Sequence, residues 1–159
     1  MRIGIGYDVH RLVLGRPLLL GGVRIDSEWG LDGHSDADVL LHAISDAFLG
    51  ALALGDIGQH FPDSDPSFRG VDSAKLLNRV IHMVHDQAYR LHNLDAVVIA
   101  QKPRLAMHIP AIRRNLASLL STDFGSISVK AKTAESIGAL GRGEGIAVYA
   151  VCLLLSDIP

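Results

Sequence analysis

The sequence predicts an α/β domain in which helices pack on one face of a single sheet. Strand-like alternation and amphipathic helical spacing follow each other along the chain, which is typical of this class. No repeat, linker or low-complexity stretch interrupts them. The length of 159 residues suits one domain, spanning 1–159, with a sizeable core.

Residues 2–10 alternate in side-chain character and predict a strand with one face packed. Because side chains repeat every second residue, Asp8 and His10 project to the same side of this strand. Gly4 and Gly6, on that side too, leave room for a closely approaching backbone or ligand. Taken alone, an Asp-x-His pair is better explained as two polar residues at the solvated end of a strand than as a metal site. The opposite face carries Ile3, Ile5 and Tyr7.

A helix is predicted from about residue 35 to about residue 52. Apolar residues recur there at helical spacing and predict a buried face. Asp38, His42 and Asp46 follow at steps of four, so they line another face of the helix. Ser35 is the predicted N-cap, with Asp38 as the acidic partner of a capping box.

The remaining segments continue the alternation of strands and helices. Residues 54–72 form a long loop, which inside a compact domain is often functional. In this loop Asp56, Asp63 and Asp65 could bind a metal, hold a ligand hydroxyl or make turns; turn-making is favoured for Asp65, because Pro66 follows it. The other predicted elements are two short strands within 18–25, a helix over 73–91, a strand over 94–100, a helix over 108–120, a strand over 127–131, a glycine-rich segment over 138–145 and an apolar strand over 146–155.

Composition excludes several classes of protein. Fifteen Lys and Arg residues against seventeen Asp and Glu give a net charge of −2, without a basic stripe, so a nucleic-acid-binding protein is not expected. No apolar run is long enough to span a bilayer and no N-terminal signal pattern is present, so we expect a soluble cytoplasmic protein with no membrane partner. The single cysteine, Cys152, is expected to be a buried, inert thiol.

Three residues from two of these elements could share a metal ion. Asp8, His10 and His42, hereafter the triad, offer one carboxylate oxygen and two imidazole nitrogens, a donor set that suits Zn²⁺ with one open position. The fold must bring the strand and the helix together for this. Asp46, one turn after His42, is predicted to be the outer carboxylate that orients the His42 ring.

Six segments, in order and over essentially the whole chain, resemble the 2-C-methyl-D-erythritol 2,4-cyclodiphosphate synthase family. They are Gly-Tyr-Asp-Val-His (6–10), His-Ser-Asp-Ala-Asp-Val-Leu-Leu-His-Ala (34–43), Gly-Asp-Ile-Gly-Gln-His-Phe-Pro-Asp-Ser-Asp-Pro (55–66), Ala-Gln-Lys-Pro (100–103), Val-Lys-Ala-Lys-Thr-Ala-Glu (129–135) and Gly-Arg-Gly-Glu-Gly-Ile (141–146).

The resemblance implies a cyclising phosphorus–oxygen lyase of the non-mevalonate isoprenoid pathway. The 2-phosphate of 4-diphosphocytidyl-2-C-methyl-D-erythritol 2-phosphate would attack the β-phosphorus, release CMP and close the cyclic diphosphate. The attacking phosphate is largely ionised at neutral pH, because its second pKa is about 6. No side-chain base is therefore required, and the enzyme must supply in-line positioning and charge neutralisation.

The resemblance also implies roles for individual residues. The triad would hold Zn²⁺, and Glu135 would help hold a second ion, Mg²⁺ or Mn²⁺. His34 and Thr133 would stabilise the transition state, with His34 and Ser35 at an anion-favouring helix N-terminus. The implied substrate contacts are Asp8, Val9, His10, His34 and Ser35 near the metal; Asp56, Ile57, Gly58, Phe61, Pro62, Asp63, Ser64 and Asp65 around the methylerythritol; Ala100, Gln101, Lys102, Pro103, Arg104, Leu105 and Ala106 around the cytosine; and Lys132, Thr133, Ala134, Glu135, Ala139 and Arg142, of which Lys132 and Arg142 meet the nucleotide phosphates.

Members of this family are homotrimers with the sheets toward the trimer axis and active sites between neighbouring subunits. The apolar strand 146–155 would then be partly buried between subunits, although an ordinary central strand explains it as well. Some members bind isoprenoid diphosphates in a cavity on the axis. Tyr149 stands where those members carry glutamate, which leaves this partner open. Ala139 and Arg104 also depart from the family pattern, replacing an aromatic residue and a lysine.

Two alternative functions follow from the residues alone. A zinc-dependent phosphohydrolase would use the same triad to activate water. A non-catalytic trimeric module would hold structural zinc in a closed, commonly cysteine-rich site, and a chain whose one cysteine lies far from the triad argues against it.

Overall fold

Strands and helices alternate along residues 1–157, the part of the chain that the computed structural model describes. Within those residues, no helix combines the length and apolarity needed to cross a membrane. Short 3₁₀ turns lie at Pro66–Phe68 and Phe124–Ser126. The elements are β1 (Arg2–Leu14), β2 (Leu18–Leu20), β3 (Val23–Ile25), β4 (Trp29–Leu31), α1 (Val39–Ala51), α2 (Ile57–His60), α3 (Ser73–Asp86), β5 (Tyr89–Ile99), α4 (Ile109–Leu119), β6 (Ile127–Lys132), α5 (Gly138–Gly141) and β7 (Gly145–Ser156).

Five of the strands form one sheet in the order β4-β1-β7-β5-β6. β1 and β5 pair antiparallel with β7, and β5 pairs parallel with β6. β2 and β3 form a separate antiparallel hairpin around Gly21 and Gly22, as predicted. The helices cover one face of the five-stranded sheet, which confirms the predicted fold class.

The packed face of β1 is the face that carries its glycines. Gly4 and Gly6 are buried, whereas Ile3 and Ile5 on the other side are exposed. A Cβ atom added to Gly6 would lie 1.9 Å from the Ala43 carbonyl oxygen of α1. The backbone of α1 therefore lies directly against β1, a contact that only glycine permits. This contact brings His42, the neighbour of Ala43, close to the end of β1.

The N-terminus of α1 differs from the prediction, because the N-cap is Asp38 and not Ser35. Ala37 takes a positive φ of 61°, so the chain becomes helical only at Val39. The Asp38 carboxylate accepts the Leu40 and Leu41 N–H groups at 3.1 Å, and also those of Gly21 and Gly22 in the β2–β3 turn. One buried carboxylate thus satisfies donors from two elements, which local sequence does not reveal.

The second predicted helix is shorter than expected. α3 ends at Asp86, five residues before the predicted end, and Ala88 follows with a positive φ of 59°. β5 then begins at Tyr89, where a strand was predicted only from residue 94. The cause is tertiary pairing, since Tyr89 lies opposite Ser156 at the far end of β7.

Cys152 is a buried thiol, as predicted. Its Sγ–H donates to the Ala47 carbonyl oxygen at 3.3 Å. Burial raises the pKa of the thiol to about 12, so Cys152 stays protonated and unreactive at neutral pH.

Substituting Gly6 by Ala should lower the free energy of unfolding by about 1–3 kcal/mol or more, because the new Cβ would overlap the α1 backbone. Gly125→Ala is the matched control: a Cβ at Gly125 meets nothing within 4 Å. The control should stay within about 0.5 kcal/mol of the wild type in urea denaturation. Equal stabilities for the two variants would contradict the close approach of α1 to β1.

Candidate metal centre

The triad predicted from the sequence converges at the C-terminal half of β1. Asp8 Oδ2 lies 2.9 Å from His10 Nε2 and 3.0 Å from His42 Nδ1. The two ring nitrogens lie 3.1 Å apart. The other Asp8 oxygen, Oδ1, accepts the Val9 N–H at 2.8 Å and so fixes the carboxylate. The fold therefore places one oxygen and two nitrogens around a single point, confirming that the triad can share an ion.

Contacts behind the two rings fix the hydrogen of His10 on Nδ1 and allow the hydrogen of His42 to lie on Nε2. His10 Nδ1 lies 2.6 Å from the Asp32 carbonyl oxygen, which can only accept, so Nδ1 is the donor. His42 Nε2 lies 2.9 Å from the Ser73 hydroxyl and 3.1 Å from the Ser35 hydroxyl. With Nε2–H of His42 as donor, the lone pairs of His10 Nε2 and His42 Nδ1 both face Asp8 Oδ2.

Three electron-rich atoms in contact require a positive charge between them. Burial raises the pKa of Asp8, but hydrogen bonds and charge attraction from His10 and His42 outweigh it and hold that pKa well below its usual range. Burial lowers the pKa of His10, yet the hydrogen bond and charge of Asp8 raise it overall. The triad therefore binds positive charge strongly, either as a proton on His10 or as a metal cation.

The donor set fits a divalent ion of the catalytic zinc type. Two imidazole nitrogens and one carboxylate oxygen are the protein ligands of such sites, which keep a fourth position open. The triad lines a cavity of about 340 Å³. A ligand entering this cavity would reach the open position. Other first-row ions accept the same donors, so the geometry fits several divalent ions.

Asp46 does not orient His42, contrary to the prediction. Its Oδ1 accepts the Ile57 N–H at 2.7 Å and anchors the start of α2. Both nitrogens of the His42 ring are already engaged, by Asp8 on one side and by Ser73 on the other. No ring atom is left for Asp46. Burial raises the pKa of Asp46, partly offset by the Ile57 hydrogen bond.

Several predicted substrate residues share the cavity with the triad. His34 Nε2 lies 3.4 Å from the Asp65 carbonyl oxygen, and the His34 carbonyl accepts the Gly70 N–H at 2.7 Å. The expected helix N-terminus is not at this place, because α1 begins at Val39 and its first N–H groups bond to Asp38. The predicted residues that line the cavity beside the triad are His34, Ser35, Ile57, Gly58, Phe61, Pro62 and Asp63.

Other predicted residues of the same region lie outside the cavity lining. Asp56 caps α2, and the Gln59 side chain and N–H lower its pKa. Asp65 Oδ1 accepts the Ser67 N–H at 2.9 Å, which confirms its turn-making role and lowers its pKa. Val9 and Ser64 are exposed. The substrate roles of these four residues stay predictions.

The residues predicted to contact the nucleotide lie elsewhere on the chain. Glu135 and Thr133 follow β6, where the Thr133 hydroxyl donates to the Glu135 carboxylate. Since β6 lies three strand positions from β1 in the sheet, the axes of these two strands are about 14 Å apart. Within one chain, Glu135 therefore does not join the triad. One depression here is lined by Lys132, Thr133, Ala134 and Ala139 among others, and another by Gln101, Lys102, Pro103 and Arg142 with Trp29.

The groups that support the triad from behind were not predicted from the sequence. Asp32 acts through its backbone carbonyl, which no side-chain pattern identifies. Ser73 begins α3 and is separated from His42 by 31 residues along the chain. Asp36 accepts hydrogen bonds from the Ser73 hydroxyl and N–H. The signal available in the sequence was the polar residue Ser73 at the start of the predicted helix.

Fold and site together define an α/β protein with a two-histidine, one-carboxylate cluster that could hold a metal ion. Residues 1–155 match the YgbB family, and the chain belongs to that family.

Similar proteins carry one recurring name. A 2-C-methyl-D-erythritol 2,4-cyclodiphosphate synthase of Geotalea daltonii is 60% identical over 154 residues, covering 97% of this chain and 90% of the relative. The synthase of Geobacter metallireducens is 61% identical over 154 residues, covering 97% and 98%. A solved synthase structure with bound CDP has a TM-score of 0.90 at 38% identity, covering 97% of this chain and 100% of its own.

A larger relative contains a similar domain. The bifunctional IspDF from Campylobacter jejuni superposes with a TM-score of 0.94 at 42% identity over 99% of this chain. This chain spans 43% of the length of that bifunctional protein.

In the metal-free protein, Asp8→Asn should destabilise the fold more at about pH 5.5 than at about pH 9, by on the order of 1 kcal/mol. The stabilisation that Asp8 contributes through its lowered pKa is present above pH 3.8, the usual pKa of this carboxyl. The stabilisation that His10 contributes through its raised pKa is present below pH 6.5, the usual pKa of this group. It is lost as the pH rises through the raised pKa of His10. Urea denaturation in EDTA measures the difference.

A His10→Gln background supplies the control for this experiment. There, Asp8→Asn should lose the part of its pH dependence that comes from His10, because that partner is gone. Equal destabilisation at both pH values in the wild-type background would contradict the ion pair.

Proposed function

We propose that this chain is a cytoplasmic 2-C-methyl-D-erythritol 2,4-cyclodiphosphate synthase of the non-mevalonate isoprenoid pathway. The observation that carries the proposal is the convergence of Asp8 Oδ2, His10 Nε2 and His42 Nδ1 on one point beside a cavity. Relatives of that name, at 60% and 61% identity and matched over 97% of this chain, support this assignment. The substrate is 4-diphosphocytidyl-2-C-methyl-D-erythritol 2-phosphate.

The proposed reaction is an intramolecular phosphoryl transfer. An oxygen of the 2-phosphate forms a bond to the β-phosphorus, and the bond between that phosphorus and the oxygen bridging to CMP breaks. CMP leaves with that bridging oxygen, and no water is incorporated. When bound, Zn²⁺ at the triad and Mg²⁺ or Mn²⁺ at Glu135 would supply positive charge that neutralises the phosphates and stabilises the leaving CMP.

The residues of the chain would position the substrate and balance its charge. His34 lies on the wall of the triad cavity, where its ring can donate a hydrogen bond to a phosphate oxygen. Thr133 now donates its hydroxyl to Glu135. With Glu135 engaged on a cation, this hydroxyl would be available to donate to the substrate phosphate. Asp63, on the rim of the same cavity, would bind a methylerythritol hydroxyl.

A homotrimer would complete the active site. The outward face of β1 and β7 is an apolar strip in which Ile3 is 72% and Ile5 67% exposed. Such a continuous apolar surface is typical of a subunit interface. Because Glu135 and Thr133 follow β6, three strand positions from β1 within one chain, a neighbouring subunit would have to supply them to the triad.

The nucleotide would bind in the depression beside Gln101. Lys102, Pro103 and Arg142 line it. The resemblance implies that contacts to cytosine would come largely from backbone groups of residues 100–106. The CDP-bound synthase supports a cytidine diphosphate site in this fold. Arg142, which now pairs with Glu144 at 2.6 Å, would turn to the phosphates.

The resemblance also raises an isoprenoid diphosphate as a second ligand, bound on the trimer axis. On the outward face of the sheet, the ring of Tyr149 packs against the ring of Tyr7 with centroids 4.7 Å apart. Tyr149 stands where the isoprenoid-binding members carry glutamate. The two tyrosine rings would therefore face the prenyl chain of such a ligand.

Incubating the protein with the cytidylyl substrate, Zn²⁺ and Mg²⁺ should yield CMP and the cyclic diphosphate, with no ¹⁸O taken up from labelled water. Mass spectrometry of the products measures this. His42→Ala should lower kcat/KM by about 10³-fold, because metal charge stabilisation is worth several kcal/mol. His85→Ala, an exposed histidine on α3, is the matched control and should keep wild-type activity.

Two outcomes of this assay would contradict the proposal. Release of an ¹⁸O-labelled hydrolysis product would favour the zinc-dependent phosphohydrolase, which the open coordination position also permits. Wild-type turnover by a metal-free His42→Ala protein would show that the triad is not the metal centre.

Substituting Glu135 by Gln should raise the Mg²⁺ concentration needed for half-maximal activity while leaving the Zn²⁺ requirement nearly unchanged. The reason is that an amide oxygen is a weaker ligand for Mg²⁺ than a carboxylate. Titrating each ion at saturating levels of the other measures the two requirements. Asp86→Asn, at an exposed carboxylate on α3 that lines neither depression, is the control. An unchanged Mg²⁺ titration would refute the role of Glu135.

A further inference from the structure

A buried group of hydroxyls lies behind the metal triad, on the far side of the His42 ring. Ser35 and Ser73 are 7% and 1% exposed. Their hydroxyl oxygens lie 3.2 Å apart, and each lies within 3.1 Å of His42 Nε2. The Ser73 hydroxyl also contacts a carboxylate oxygen of Asp36, whose other oxygen accepts the Ser73 N–H at 3.1 Å.

The hydrogen bonds in this group can all run in one direction, toward Asp36. An ionised carboxylate only accepts hydrogen bonds, so Ser73 donates its single hydroxyl hydrogen to Asp36. The oxygen of Ser73 is then an acceptor for the Nε2–H of His42. Ser35 accepts the Ala37 N–H at 3.0 Å and can donate its own hydrogen to Ser73. The contacts among Nε2, Ser73 and Ser35 are all satisfied when Nε2 of His42 carries the hydrogen, and Nδ1 then keeps its lone pair for a cation.

The Ser73 hydroxyl is not needed to start α3. The N-cap of α3 is Asp72, whose side chain accepts the Ala74 N–H at 2.8 Å. The link between α3 and Asp36 through the Ser73 N–H does not involve the hydroxyl either. The Ser73 hydroxyl therefore contacts His42 without serving as a helix cap.

We propose that Ser73 and Asp36 are positioning residues of the metal centre. The relay from His42 through Ser73 to Asp36 holds His42 in the one tautomer and ring orientation that presents Nδ1 to the ion. It connects α1, the 34–38 loop and the start of α3 to the metal. This inference rests on the proposed function only in assigning a divalent ion to the triad.

Removing the Ser73 hydroxyl should lower the affinity for Zn²⁺ by about 10- to 100-fold, the usual effect of losing an outer partner of a ligating histidine. Competition with a chromophoric chelator measures the affinity of the purified full chain for Zn²⁺. Ser45→Ala is the matched control, since Ser45 is a buried serine of α1 whose hydroxyl donates to the Leu41 carbonyl at 2.8 Å. It should leave the Zn²⁺ affinity unchanged.

A second readout separates positioning from general structural damage. In metal-free protein carrying ¹⁵N-labelled histidine, the ring shifts of His42 should report a larger share of the Nε2–H tautomer in the wild type and in Ser45→Ala than in Ser73→Ala. In Ser73→Ala they should report a mixture of tautomers. Should Ser73→Ala fail to fold, Asp36→Asn, which keeps the size of the side chain, should lower the Zn²⁺ affinity in the same direction.

The controls distinguish failure of this inference from failure of the proposed function. If His42→Ala binds Zn²⁺ as tightly as the wild type, the triad is not the metal centre and the proposed function fails. If His42→Ala loses Zn²⁺ while folded Ser73→Ala and Asp36→Asn keep wild-type affinity and tautomer, the positioning role is overturned and the triad stands.

Discussion

Three lone pairs that face one another at about 3 Å are the constraint on which this structure depends. Asp8, His10 and His42 contribute no hydrogen to the space between them once the outer contacts of the two rings are satisfied. Such an arrangement is unfavourable without a cation and becomes a binding site with one. The fold maintains it because the backbone, at Asp32, and the buried hydroxyls behind His42 hold both rings from outside.

The close approach of α1 to β1 makes this arrangement possible. Gly4 and Gly6 let the α1 backbone contact the strand, and a larger residue at either position would push the helix away. The same two elements carry all three ligands. Packing and function therefore depend on one interface, and the outward face of β1 is left apolar and exposed.

Local periodicity predicted the parts of the site that lie within one element, but not the contacts between elements. The alternation of β1 placed Asp8 and His10 on one side, and His42 was added because the three side chains together form a donor set that suits Zn²⁺. Asp46 was assigned to His42 because helical spacing makes the two neighbours, yet spacing cannot reveal that Ile57 is its partner. Ser35 failed as an N-cap since the buried Asp38 serves two elements at once. Ser73 was missed because its contact with His42 exists only in the tertiary fold.

Anomalous X-ray diffraction at the zinc absorption edge, from crystals grown with Zn²⁺, tests the convergence of the three ligand atoms most directly. We expect a single strong peak at about 2.0–2.2 Å from Asp8 Oδ2, His10 Nε2 and His42 Nδ1, with the fourth position facing the cavity. A peak that lies away from the triad, or that contacts His10 through Nδ1, would contradict the account.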